Sequence, residues 1–180
     1  MNNSFGFLLS SARTINRVTT HVGRLVRWLS LFMVLTTCAV VLLRYVFSYY
    51  PIALQEAVMY FHGSLFMLGA SYAWQHNAHV RVDVFYRNWS TQRQALVNRL
   101  GTLFLLMPTC LFLLWVSWDY VSVAWQIQER SQEAGGLPIV YIQKSLIIAM
   151  PILMLLQSIA MLIDPVSEAE QHTNEEHANG

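Results

Sequence analysis

The sequence predicts an all-α integral membrane protein with four transmembrane helices, an N-terminal interfacial amphipathic helix and both termini in the cytoplasm. Three observations carry that expectation. Of 180 residues, 55% are hydrophobic and only 12% charged, too apolar for the surface of a water-soluble domain of this length. Three windows, Ala57 to Gln75, Leu100 to Trp118 and Ser145 to Ile163, each run 19 residues without a charge, and at about 1.5 Å per residue that length crosses a hydrocarbon core of about 30 Å. The arginines then divide by side: Arg13, Arg17, Arg24 and Arg27 before the first span, and Arg81, Arg87, Arg93 and Arg99 against Asp83 between the second and third, mark cytoplasmic segments by the positive-inside bias. The resulting layout is an N-terminal segment 1–24, a four-helix domain 25–163 with spans at about 25–47, 52–75, 97–119 and 142–163, and a disordered acidic tail 164–180.

Residues 8–26 place Leu8, Ala12, Ile15, Val18, Val22 and Leu25 at helical spacing, with Arg13, Arg17, His21 and Arg24 on another face. That pattern is an interfacial amphipathic helix leading into the first span, the alternative being a loose basic leader. The first span has only 16 uncharged residues, Trp28 to Leu43, and becomes long enough when Arg27 and Arg44 reach toward opposite interfaces. It starts too late and stays apolar too long for a cleaved signal peptide. Tyr49-Tyr50-Pro51 makes a short outer turn of interface aromatics, and Pro51 suits the start of the second span.

On the inner side, Ser90 is placed to cap a helix from Thr91 into the third span. Pro108 and Pro151 fall inside the third and fourth spans, where each bends its helix and frees a carbonyl. The longest outer segment, Trp118 to Lys144, holds Tyr120, Trp125, Tyr141 and the turn Gly135-Gly136-Leu137-Pro138, which suits a loop packed on the membrane surface or on a partner. The tail beyond Ile163 carries five acids and no Lys or Arg. Cys38 and Cys110 fall near the middles of the first and third spans, where a thiol packs as a small hydrophobe.

The polar groups in and near the spans are few. Arg44 closes the first span and Glu56 opens the second on the same side, so an outer-leaflet ion pair is expected between them, against two independent snorkelling chains or Glu56 as a coupling site for transport. His62 lies about 9 Å further along its helix. A bis-histidine haem needs a second His at similar depth on another span, which the sequence lacks, so a helix-to-helix hydrogen bond is its expected role. Gly69 and Ala73 form a small-x-x-x-small pair for close helix approach, within the chain or to a partner. No nucleophile-base pair, phosphate loop or metal-spaced His/Cys cluster appears, so neither enzyme activity nor a cofactor is expected, and the scattered basic residues make no nucleic-acid face.

The chain resembles the small permease (DctQ-like) subunit of the tripartite ATP-independent periplasmic, or TRAP, transporters over about residues 25–163. The matching residues are Leu43-Arg44-Tyr45-Val46-Phe47, Glu56, Tyr60, Leu68-Gly69-Ala70, Ala73 and His79-Val80-Arg81-Val82-Asp83. Gln55, Met59 and Ser64 depart from the family pattern, where an acid, an Arg and a Trp are frequent. The segment from Trp118-Asp119-Tyr120 through Gly135, Gly136 and Pro138 to Lys144 is similar to a subgroup associated with uptake of 2-oxo acids or other organic carboxylates, dicarboxylates included. The resemblance implies a scaffold in a bacterial inner membrane, working with a large permease subunit that holds the substrate and sodium sites, a periplasmic solute-binding protein and membrane lipids. It makes Arg44, Glu56, Tyr60, His62, Gly69, Ala73, His79, Arg81, Asp83, Gly135, Gly136 and Pro138 the candidate structural and subunit-contact residues. The competing functions are a membrane anchor of a redox enzyme and a small four-helix exporter.

Overall fold

A computed structural model describes residues 2–76, 78 and 89–163, and among them every regular element is helical. His79, Arg81 and Asp83 lie outside the described residues, as does the tail 164–180. Helix α1 runs Asn2–Phe47, α2 Ile52–Gln75, α3 Thr91–Gly101, α4 Met107–Gln126 and α5 Val140–Ile163; a π-turn, Thr102–Leu106, joins α3 to α4 in one rod.

The N-terminal segment, expected as an interfacial helix leading into the first span, is continuous with it: α1 is one 46-residue helix, about 69 Å long. No proline interrupts residues 1–50, and nothing in the sequence forces the chain to turn. At its outer end Ser48 adopts a left-handed conformation, φ 52°, and the Tyr49 amide turns back to the Leu43 carbonyl. Pro51 then precedes α2. In the α3–α4 rod, Pro108 has no N–H to donate and its ring crowds the carbonyl four residues back. The preceding turn widens, so that the Met107 amide bonds to the Thr102 carbonyl five residues away.

Helix α1 packs on α2, α2 on α5 and α5 on α4, while α1 also meets α5. Contacts fix the antiparallel register of α1 and α2: Gly23 lies against Tyr72, and the Phe32 and Phe61 rings are 6.2 Å apart. Beside Val26, Val121 and Met154, what is buried at these interfaces is small or polar. Ala12, Cys110, Ala124 and Ala160 are buried with Thr19, Ser71, Gln157 and Ser158, whereas Phe104 (69% exposed) and Trp115 (78%) point outward. A water-soluble protein of this length buries its aromatics. Helices solvated by lipid instead associate through small residues and interhelical hydrogen bonds, with their large apolar side chains in hydrocarbon.

Among the described residues, three helical stretches are long and apolar enough to cross a membrane: Leu9–Phe47, Gln92–Gln126 and Val140–Ile163. Helix α2 matches α5 in length, at 24 residues, but Gln55, Glu56, His62 and Gln75 make it too polar to join them on composition alone.

Candidate functional site

At the outer end, the segment joining α4 to α5 folds over the first turns of α2. It leaves α4 at Gln128, left-handed at φ 49°, while the Glu129 amide still bonds to the Ala124 carbonyl. The Ser131 amide donates to the Leu137 carbonyl at 3.1 Å and closes the neck of the loop. Inside it, the Glu133 amide donates to Ser131 Oγ, and the Gly136 amide to the Glu133 carbonyl. Gly135 has φ 83°, a conformation that costs glycine little and other residues more.

Glu56 grips this neck from below. Its Oε2 accepts the Leu137 amide at 2.6 Å, and its Oε1 accepts the Ser131 hydroxyl. A methyl at Gly136 would sit 2.7 Å from Glu56 Oε1 and would press on the Ser131 side chain. Glycine at 136 therefore gives the carboxylate room to reach the loop. Pro138, exposed, follows at the exit toward α5. Tyr60 is half-buried one turn further along the Glu56 face of α2.

The ends of the loop are also tied. Lys144 Nζ meets both carboxylate oxygens of Glu129, at 2.7 and 2.6 Å, and stands 4.0 Å from the centre of the Tyr120 ring. Trp125 donates its Nε1–H to Ser145 Oγ at 2.8 Å and packs edge-on against Tyr141, with ring centroids 4.7 Å apart. Together these contacts bind α2, α4 and α5 to one outer cap.

Two expectations need correcting here. The Arg44–Glu56 ion pair does not form: Arg44 is exposed, its guanidinium 5.3 Å from the Tyr50 ring, and the Glu56 carboxylate is engaged by the loop. The α1–α2 register explains why, because α1 overruns the start of α2 and sets Arg44 about 10 Å above Glu56 along the helix axes. His62 makes no helix-to-helix hydrogen bond among the described residues; it is exposed, on the stripe Gln55, Met59, His62 and Phe66 that points away from α1 and α5. Gly69 and Ala73 continue that stripe at helical spacing, and a methyl at Gly69 would meet nothing. Close approach within the chain occurs elsewhere, at Gly23 against Tyr72 and at Gly63 against Gln143.

The inner end holds a polar knot. Gln157 Nε2 donates to Asn16 Oδ1 at 2.9 Å, Gln75 Nε2 to the Asn16 carbonyl at 3.3 Å, and Thr20 Oγ1 lies 3.3 Å from Gln75 Oε1. Gln157 is 1% exposed. Along this stretch of α1, Ala12, Thr19, Gly23 and Val26 are buried against the bundle, while Val18 and Leu25 are exposed. Polar residues on three separate helices gave no pattern from which this knot was readable.

Between α4 and α5 runs a groove of about 480 Å³, walled mainly by Trp118, Val121, Ile148 and Ile152. Its two hydroxyls are already bonded, Ser122 to the Asp119 carbonyl and Ser145 to the Tyr141 carbonyl, so a polar solute finds no free hydroxyl proton there. Among the described residues, no group of three or more His, Cys, Asp and Glu could hold a metal ion.

A family model described as "Tripartite ATP-independent periplasmic transporters, DctQ component" matches residues 33–168, 136 of the 180 in the chain. No curated protein and no solved structure matches.

Proposed function

The chain belongs to the DctQ-component family of the tripartite ATP-independent periplasmic transporters, a family of transporter components and not of enzymes, and from that premise we propose that it is the small subunit that braces a large permease. In this reading α2 crosses the membrane as a fourth span, both termini lie in the cytoplasm of a bacterial inner membrane, and lipid solvates the outward aromatics. The large permease carries the substrate and sodium sites, and a periplasmic binding protein delivers the solute. The transported class is organic acids, of the 2-oxo acid or dicarboxylate type, on the likeness of the 118–144 segment.

One observation carries the bracing role. Three charged groups at the outer ends of the helices serve internal structure: Glu56 holds Ser131 and Leu137, and Lys144 holds Glu129. A carrier needs polar groups converging on a midplane cavity; here the groove between α4 and α5 is apolar. Glu56 is accordingly a structural anchor for the outer loop and not a coupling site. Gly69 and Ala73, outward on α2, are the subunit-contact residues of this proposal.

The test is co-purification with a large permease from the same membrane, followed by reconstitution. The pair with its binding protein takes up organic acid on a sodium gradient, and this chain alone takes up none. Uptake by the isolated chain refutes the reading. Replacing Gly69 with Leu lowers co-purification several-fold without releasing the outer loop.

A further inference from the structure

The inner half of α1 presents on one flank four arginines that form no ion pair among the described residues. Arg13, Arg17, Arg24 and Arg27 are all exposed and fall within roughly a quarter-turn of the helix circumference, counting about 100° per residue. They lie to one side of the buried face formed by Ala12, Thr19, Gly23 and Val26. No carboxylate among the described residues pairs with any of them, and no acid occurs in the first 55 residues. The row extends about 21 Å from Arg13 to Arg27.

The polar knot decides what lies beside that row. Because Asn16 is bonded to Gln157, the end of α5 is fixed against α1: Ile163 stands six residues past Gln157, about 9 Å further toward the inner end, level with about residue 10 of α1 and just beyond the Arg13 end of the row. The chain continues from that point with Asp164, Glu168, Glu170, Glu175 and Glu176, half of its ten acidic residues, and with no Lys or Arg. Seventeen residues span at most about 60 Å when extended, so the arginine row is within reach along its whole length.

We propose that the acidic segment 164–180 docks on the Arg13–Arg17–Arg24–Arg27 flank of α1, forming an internal electrostatic strap across the inner end of the bundle. The occupant is this chain's own tail: its charge is opposite, it emerges beside the site, and tethering keeps its effective concentration in the millimolar range. Among the described residues, Arg93 and Arg99 on α3 are further exposed arginines near the inner end, but α3 packs on none of the other helices the way α1 packs on α5. The strap holds at low ionic strength and loosens as salt shortens the Debye length from about 10 Å at 0.1 M to about 3 Å at 1 M. It competes with anionic headgroups for the same guanidinium groups. The proposal does not depend on the bracing role.

The experiment uses the full chain in nanodiscs of zwitterionic phosphatidylcholine, with Cys38→Ser and Cys110→Ser removing the native thiols. Spin labels are placed at His21→Cys, beside the flank, and at Asn174→Cys in the tail, and the distance distribution is read by pulsed electron resonance. The expected result is a short, narrow population. It is lost when Arg13, Arg17, Arg24 and Arg27 are changed to Gln, lost when the five tail acids are neutralised, and retained when Arg93 and Arg99 are changed to Gln. A broad wild-type distribution overturns the proposal, as does one that survives the four-Arg change. Loss of the short population in the Arg93/Arg99 variant alone moves the tail to α3 and equally overturns it. Headgroup occupancy in place of the tail would show as weaker binding of phosphatidylglycerol in the four-Arg variant with no change in the label distance.

Discussion

Replacing Glu56 with Ala removes both acceptors from the neck of the outer loop at once. Each hydrogen bond to a charged partner contributes about 1.5–3 kcal/mol. Glu56 is only half-buried, and water competes for the freed Leu137 amide and Ser131 hydroxyl, so we take the lower bound and discount it to about 1 kcal/mol per bond. Together they give roughly 2 kcal/mol, and at about 1.4 kcal/mol per tenfold the loop opens roughly 30 times more often. Hydrogen exchange followed by mass spectrometry on the chain in nanodiscs reads this directly: protection of the Leu137 amide falls about 30-fold, while amides in the middle of α5 are unchanged. Glu56→Gln falls by less, because the amide oxygen still accepts one donor and the Ser131 hydroxyl can turn to accept from the amide nitrogen. Unchanged Leu137 protection in Glu56→Ala refutes the clasp, and a fall in Arg44→Ala of the same size would restore the ion pair in its place.

Gly23→Ala drives a methyl into the Tyr72 side chain, 2.8 Å from its Cβ, and lowers stability by about 1–3 kcal/mol, read by thermal unfolding in detergent. Gly69→Ala, with nothing to meet, leaves stability unchanged or raises it by up to about 1 kcal/mol through helix propensity. Gln157→Leu strands Asn16 Oδ1 and costs about 1–3 kcal/mol; adding Asn16→Ala recovers part of the loss, and full additivity of the two changes in a double-mutant cycle would count against the knot. Lys144→Met leaves the Glu129 carboxylate without its cation and lowers stability by about 1 kcal/mol, with the difference from wild type shrinking at high salt if the pair is the cause.

The helices were legible because uncharged runs of bilayer length have few alternatives, and the start of α2 was legible because Pro51 suits the entry to a helix. The continuity of α1 was less legible: residues 1–24 were set apart from the first span as an interfacial helix, though no proline before Pro51 requires the chain to turn there. Glu56 was singled out correctly as a polar group with a partner, and the partner was misplaced. Proximity in sequence favoured Arg44, whereas the actual donors are a hydroxyl and a main-chain amide more than seventy residues away, and a backbone N–H has no sequence signature. Small residues identified α2 as a close-packing helix, yet composition does not say which side faces a neighbour. Helix phase and register, fixed only in the assembled bundle, put Gly63 inside and Gly69 outside.

The π-turn at Thr102–Leu106 sets the phase between two halves of one rod. A turn closed over five residues instead of four holds one residue more than a regular helix, so everything on the α3 side is rotated by about 100° relative to α4. Deleting a single residue there would restore uniform winding and swing Arg93 and Arg99 around the axis without altering any side chain. The azimuth of the inner charges is thus encoded separately from the outer packing of Val121 and Ala124 on α5, and a one-residue change in length can alter one while preserving the other.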